Sequence, residues 1–222
     1  MAMSERWVTF DCYGTMIDWR VGMEAALDAV APGRADDLIA AYHEFEPQVE
    51  AETPYRVYRE IQREALTRAA HRLDITLDAD AGGVLGESLP TWPAFPDSIA
   101  ALDGLRSAGF RLGILTNADV DMIQGTLAGP LPVEFDTVIT AEEVRSYKPG
   151  PGQFDAFISR HAPGRADWIH VGNSVWHDCE PAHERGFRSV YVHRRNESRD
   201  GGCATAVVPD LASLQAALES LT

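Results

Sequence analysis

Short apolar runs punctuate this chain, and most are apolar on both faces. They cover residues 7–11, then Arg111-Leu112-Gly113-Ile114-Leu115, Thr137-Val138-Ile139, Trp168-Ile169-His170-Val171 and Ser189-Val190-Tyr191-Val192. Runs without a polar face suit strands buried on both sides of a parallel sheet better than half-exposed ones. Helical patterns lie between them. Ile99, Leu102 and Leu105 share one face of 97–108, and Phe154, Phe157 and Ile158 share one face of 152–161. Leu211, Leu214, Ala217 and Leu218 mark a closing helix over 210–221. This strand–helix alternation predicts an α/β fold, doubly wound around a mostly parallel sheet.

Residues 16–92 break the alternation and show no strand pattern. Leu38, Tyr42, Phe45 and Val49 recur at i, i+4, i+7 and i+11, and Tyr58, Ile61, Ala65 and Leu73 continue a helical stripe after Pro54. The spacing predicts a helical cap domain over 16–92, inserted into a core domain made of 1–15 and 93–222. Emerging just after the first strand, it could cover the strand ends as a lid. A helical layer packed on the sheet without gating is the alternative.

Length and composition fit a soluble globular chain: 222 residues, 45% hydrophobic and 24% charged. The formal net charge of −15 argues against nucleic acid or an anionic membrane as partner, since both need basic surface. A small anionic substrate stays open, because one local Lys or Arg can outweigh the global field. Cys12, Cys179 and Cys203 are odd in number and fit no zinc spacing, so a reducing cytoplasm is expected. Residues 1–6 lack the apolar stretch of a signal peptide, and no run approaches the ~18 apolar residues needed to span a bilayer.

Polar clusters follow the predicted strands. Asp11-Cys12-Tyr13-Gly14-Thr15 closes the first, Thr116-Asn117 follows the second, and Lys148 stands in Ser146-Tyr147-Lys148-Pro149. Gly172-Asn173-Ser174, with His177 and Asp178, follows Trp168–Val171. In a doubly wound sheet the carboxyl ends of the strands converge on one edge, so these clusters would meet around one cavity. The chemistry is coherent. Asp11 can attack an electrophilic carbon or phosphorus. Lys148 is its counter-charge. Thr15, Thr116 and Asn117 offer donors to the substrate or to departing charge. Asp178 can orient or deprotonate a water. Singly, each has a plainer reading: Asp11 as a turn former, Asn173 and Ser174 as helix caps, Asp178 as a first-turn carboxylate, Lys148 as a surface lysine. His170 and His177 have no paired ligand spacing and read as local hydrogen-bonding residues.

Together these motifs resemble the haloacid dehalogenase (HAD) superfamily, with a helical cap after the first motif. Asp11-Cys12-Tyr13-Gly14-Thr15 resembles the type II 2-haloacid dehalogenases, whereas the superfamily's phosphatases carry Asp at the position of Tyr13. Tyr147-Lys148-Pro149 and Asn173-Ser174-Val175-Trp176-His177-Asp178 are similar to the dehalogenase branch. The resemblance implies that Asp11 displaces halide from C2 of a haloacid as an ester that water then cleaves. Lys148 and Asp178 would be catalytic beside it. Tyr13, Thr15, Thr116, Asn117, Asn173 and Ser174 would contact substrate, and no metal or cofactor is implied. Halide leaves without protonation, so a tyrosine in place of a general acid makes physical sense.

The chain departs from that pattern where the family places a carboxylate-binding Arg. Ile39-Ala40-Ala41-Tyr42-His43-Glu44-Phe45 contains none, which leaves Arg20, Arg56, Arg59 or Arg63 as substitutes. The Ser-x-Asn pattern of the fourth motif is also missing. Two other readings stay open: a Mg²⁺-dependent phosphatase using Asp11 and Asp178, and a binding protein that kept the fold without efficient chemistry. Tyr and Phe at helical spacing in the cap offer a surface for a homodimer.

Overall fold

A computed structural model describes residues 5–78, 80–194 and 201–221, so the first four residues of the polar N-terminal stretch lie outside it. The chain opens with β1 (Trp7–Phe10), every residue of which is buried. Helices α1 (Trp19–Val30), α2 (Ala35–Glu50), α3 (Tyr58–Arg72) and α4 (Val84–Ser88) follow, with 3-10 turns at Ala81–Gly83 and Leu89–Thr91. The alternation then resumes through α5 (Ser98–Ser107), β2 (Arg111–Thr116), α6 (Val120–Ala128), β3 (Thr137–Thr140), α7 (Ala141–Val144) and α8 (Gly152–His161). It ends through β4 (Trp168–Gly172), a π-helical turn at Val175–Cys179, α9 (Glu180–Glu184), β5 (Arg188–Val192), β6 (Ala206–Val208) and α10 (Leu214–Leu221).

The six strands form one parallel sheet in the order β3-β2-β1-β4-β5-β6. The chain winds outward from β1 through β2 to β3, then crosses back to β4 on the other side. That reversal leaves a crevice at the carboxyl end of β1, the place where open α/β sheets bind ligands. Val8, Phe10, Leu112, Ile114, Val171 and Val190 join α5 and α10 on one face through Leu102, Leu105, Leu214 and Leu218. Trp7, Leu115 and Trp168 join α8 on the other through Phe154 and Phe157.

Two differences from the sequence pattern have local causes. β6 went unpredicted: it is three residues long, and only Val208 is buried while Val207 is exposed. The closing helix starts at Leu214 rather than 210, because the Asp210 carboxylate accepts from Ser213 N and Oγ at 2.9 and 2.8 Å and holds the preceding residues in a turn.

No strand occurs among the described residues between β1 and β2, so the insertion is helical as expected. Leu38, Tyr42 and Val49 of α2 are buried, as are Ile61, Ala65 and Leu66 of α3, and Phe45 is partly buried. The insertion is also tied to the sheet edge by polar contacts. Asp119, after β2, accepts from Tyr58 N and Arg59 N at 2.6 and 3.1 Å, and so caps the amino end of α3 from another part of the chain.

Candidate active site

Asp11 follows β1, and its amide donates to Val171 O at 2.9 Å. Its carboxylate is divided between two partners. Oδ1 takes Lys148 Nζ at 2.9 Å, and Oδ2 takes Thr15 Oγ1 at 2.9 Å. Thr15 Oγ1 in turn accepts from Asn173 N at 3.0 Å, which locks the first motif to the end of β4. The turn between them needs glycine. Gly14 has φ +102°, and a Cβ there would lie 3.0 Å from Asn173 Oδ1.

Lys148 is the hub. Its side chain is 2% exposed, and its ammonium reaches Asp178 Oδ1 at 2.7 Å as well as Asp11. Asn117 fixes its backbone, accepting from Lys148 N at 2.7 Å and donating to Lys148 O at 3.2 Å. Gln153 Nε2 steadies Asn117 Oδ1 at 3.1 Å. Burial alone would lower the Lys148 pKa, but the two carboxylates outweigh it and hold the ammonium above the ordinary range. Burial likewise raises the carboxyl of Asp178, and Lys148 and His170 outweigh it, so the group lies well below the usual carboxylate range. Asp178 packs against bare backbone: a Cβ on Gly172 would come within 2.3 Å of Asp178 Oδ2.

A buried chain of hydrogen bonds ends on Asp178. Trp168 Nε1 donates to Thr9 Oγ1 at 2.8 Å, Thr9 Oγ1 is 2.8 Å from His170 Nδ1, and His170 Nε2 is 3.2 Å from Asp178 Oδ1. The indole donates to the Thr9 hydroxyl, and because ionised Asp178 can only accept, His170 Nδ1 is the free acceptor to which that hydroxyl donates. His170 Nε2 then carries the proton that Asp178 accepts. Burial lowers the imidazole pKa, in keeping with this neutral tautomer. Both His170 and His177 make local hydrogen bonds, His177 Nδ1 lying 3.0 Å from Ser174 Oγ.

These groups form the floor of a cavity of about 460 Å³ between the sheet edge and the insertion, a size suited to a small molecule. Tyr13, Trp19 and Trp92 are among its walls, and Tyr42, Glu46, Glu50, Tyr58 and Gln62 of α2 and α3 lie on its roof. The sequence-derived residues Asp11, Tyr13, Arg20, Thr116, Asn117, Lys148, Asn173, Ser174 and Asp178 all line it. Several spend their polar atoms on building the site. The Tyr13 hydroxyl lies 2.9 Å from Thr126 Oγ1, Asn173 Nδ2 donates to Val192 O at 3.0 Å, and Thr116 Oγ1 accepts from Ala118 N at 3.2 Å. Arg20 is on the wall with its guanidinium on Asp36 at 2.5 Å. Of the other arginines, Arg59 pairs with Asp119 at 3.3 Å and Arg56 with Glu52 at 2.9 Å, and neither lines the cavity. Sequence reasoning missed Glu46 and Glu50. Their only signal is i,i+4 spacing from Tyr42 along the edge of its apolar stripe.

The donor set does not fit a divalent cation. Asp11 and Asp178 are the only carboxylates on the floor among the described residues, and both already hold one ammonium. Tyr13 and Asn173 add a neutral phenol, already hydrogen-bonded to Thr126, and a neutral carboxamide, neither of which supplies the charged oxygen ligands such a cation favours. Among the described residues no three His, Cys, Asp or Glu side chains converge.

Fold and site together define an α/β enzyme with its chemistry at the carboxyl edge of a parallel sheet. The profile of the haloacid dehalogenase-like hydrolases matches residues 5–186, and the chain belongs to that family. It is 26% identical over 196 residues to (S)-2-haloacid dehalogenase 1 of Pseudomonas sp. (strain CBS-3), covering 86% of each chain. It is 25% identical over 194 residues to haloacetate dehalogenase H-2 of Moraxella sp. (strain B), covering 84% of this chain and 85% of the relative. In fold it is similar to the L-2-haloacid dehalogenase of Xanthobacter autotrophicus with chloropropionic acid covalently bound. The TM-score is 0.85 at 22% identity, covering 98% of this chain and 100% of the other.

Proposed function

We propose that this chain is a metal-independent hydrolase of carbon–halogen bonds, acting on a 2-haloacid through an ester on Asp11. The observation that carries this reading is the Asp11 carboxylate on the cavity floor, held by Thr15 and Lys148, with Tyr13 where a second carboxylate would serve a phosphatase. One Asp11 oxygen attacks C2, a C–O bond forms, and the C–halogen bond breaks with its electron pair leaving on halide. Water then adds to the Asp11 carbonyl carbon, the ester C–O bond breaks on the acyl side, and the 2-hydroxy acid departs with a proton. Both oxygens of Asp178 are hydrogen-bonded, to Lys148 and His170 through Oδ1 and to Ser174 N through Oδ2. Its depressed basicity suits it to orienting the water more than to storing its proton. Lys148 neutralises Asp11 and the ester's developing oxyanion.

Arg20 is the cavity cation nearest to free use. Its partner Asp36 has a side chain 78% exposed, and an exposed pair of this kind is worth little, so a substrate carboxylate can displace it. The helical insertion acts as the cap. A soluble cytoplasmic enzyme, working alone or as a homodimer, is consistent with the chemistry. No helix among the described residues is long and apolar enough to cross a membrane.

The test is halide release from chloroacetate, bromoacetate and 2-chloropropionate, with and without EDTA, against a p-nitrophenyl phosphate control. Release unaffected by EDTA, and lost in Asp11→Asn, is expected. A single turnover in ¹⁸O-water should label Asp11 and not the product. Label in the product alone, or turnover that needs metal and favours the phosphate ester, would overturn the reading.

A further inference from the structure

The roof of the cavity has the wrong charge for a simple haloacid. Four carboxyl groups, on Asp11, Glu46, Glu50 and Asp178, line the cavity against two charged basic side chains, Arg20 and Lys148, since burial lowers the pKa of the other two bases, His43 and His177. Both charged bases are already paired, Lys148 with Asp11 and Asp178 and Arg20 with Asp36.

Glu46 is fixed but left open. Tyr42 and Tyr58 both donate to its Oε1, at 2.8 and 2.5 Å, and Oε2 takes no hydrogen bond among the described residues. Glu50, one helical turn on, has neither hydrogen bond nor ion pair among the described residues. Burial and the neighbouring Glu46 push its carboxyl up to about 9, the mark of a group short of a counter-charge. A third group is also unserved. Gln62 is 2% exposed on the same wall, and its Oε1 is buried without a hydrogen-bond partner. The acceptors thus outnumber the donors, and the neighbouring walls are the aromatic rings of Trp19 and Trp92.

We infer that this roof takes a cationic N–H group of the substrate, an alkylammonium at the end remote from the carbon that Asp11 attacks. The inference rests on the function proposed above and narrows its substrate class to 2-haloacids bearing an amine. An ammonium brings three donors to a roof with three open acceptor groups, Glu46 Oε2, Gln62 Oε1 and the Glu50 carboxyl once it ionises. Its charge lets Glu50 give up the proton that burial and Glu46 hold on it, and its methylenes and charge both suit aromatic walls. A metal ion fits less well, since hard divalent cations want six or more oxygen ligands.

The experiment uses the whole chain and two probes of equal length, hexylammonium and hexanoate, titrated by calorimetry and by the fluorescence of the cavity tryptophans. Hexylammonium should bind about tenfold more tightly than hexanoate. The preference should vanish in Glu46→Gln/Glu50→Gln and weaken in Glu50→Gln alone. Hexanoate binding as tightly as the amine, or a preference that survives the double substitution, overturns the inference. Halide release from 6-amino-2-chlorohexanoate and 2-chlorohexanoate separates it from the parent reading. Release without preference for the amine sinks this inference alone. Amine binding without release from any haloacid sinks only the dehalogenase.

Discussion

His170 Nε2 lies 3.2 Å from Asp178 Oδ1, and through that contact a fully buried imidazole fixes the carboxylate that shares Lys148 with Asp11. Behind it Thr9 and Trp168 set the tautomer. His170 is fully buried and does not line the cavity, so it is a positioning residue. His170→Phe removes a donor to a buried carboxylate, which is worth about 1.5–3 kcal/mol, or roughly 10–100-fold in the hydrolytic step. The carboxyl of Asp178 should then titrate higher, and the acid limb of the kcat profile should move upward. His170→Asn should recover part of both. A rate loss with an unmoved acid limb would make His170 merely part of the core.

Lys148 separates two carboxylates that would otherwise face one another. In Lys148→Met both lose their counter-charge, and breaking a buried ion network by removing one member costs about 3–5 kcal/mol. Turnover should fall by orders of magnitude, and the urea midpoint should drop. Adding Asp178→Asn to that variant should restore stability without restoring turnover, because it removes the like-charge repulsion but not the need for Lys148. Stability unchanged in the single variant would mean that the ammonium contributes nothing to holding this edge.

Asp119 is a second link between sheet and insertion. It caps α3 through Tyr58 N and Arg59 N, and Tyr58 is one of the residues holding Glu46. Asp119→Ala should cost about 1–2 kcal/mol in thermal stability, in the range of a lost helix cap. It should also raise KM more than it lowers kcat, since the roof shifts and the floor does not. Asp121→Ala, which removes an exposed partner of Arg59, should leave both within error. Equal effects from the two substitutions would show that surface charge matters and the cap does not.

How much of this was legible in the sequence follows from where each residue's partners lie. Strands β1, β2, β4 and β5 announce themselves because both faces are buried, and the polar residues that follow them collect on one edge by topology alone. Asp11, Lys148 and Asp178 could therefore be brought together from sequence. The roof could not. Glu46 and Glu50 lie on an amphipathic helix, where acidic residues ordinarily read as its solvated face, and only the fold of α2 over the sheet edge turns them inward. Asp119 was equally opaque, and Asn117 was legible as a site residue but not as the group that fixes Lys148, because their hydrogen bonds close on Tyr58 and Lys148, distant in the chain.

Glu50 gives a pH dependence with a definite sign. Its carboxyl lies at about 9 in the folded chain, against an ordinary value of 4.5. Between those values the folded chain keeps a proton that the unfolded chain has released, so stability falls as pH rises. One full proton corresponds to about 1.4 kcal/mol per pH unit, and contact with cavity water narrows the pH window over which this slope applies. Urea unfolding at pH 5.5, 7 and 8.5 should therefore show a decline that is shallower in Glu50→Gln, with the variant the more stable at pH 8.5. A residue retained at such a cost at neutral pH is expected where function demands it, which ties this measurement to the amine titration. Parallel pH profiles for the two proteins would mean that the Glu50 carboxyl is freely solvated and places no demand on a counter-charge.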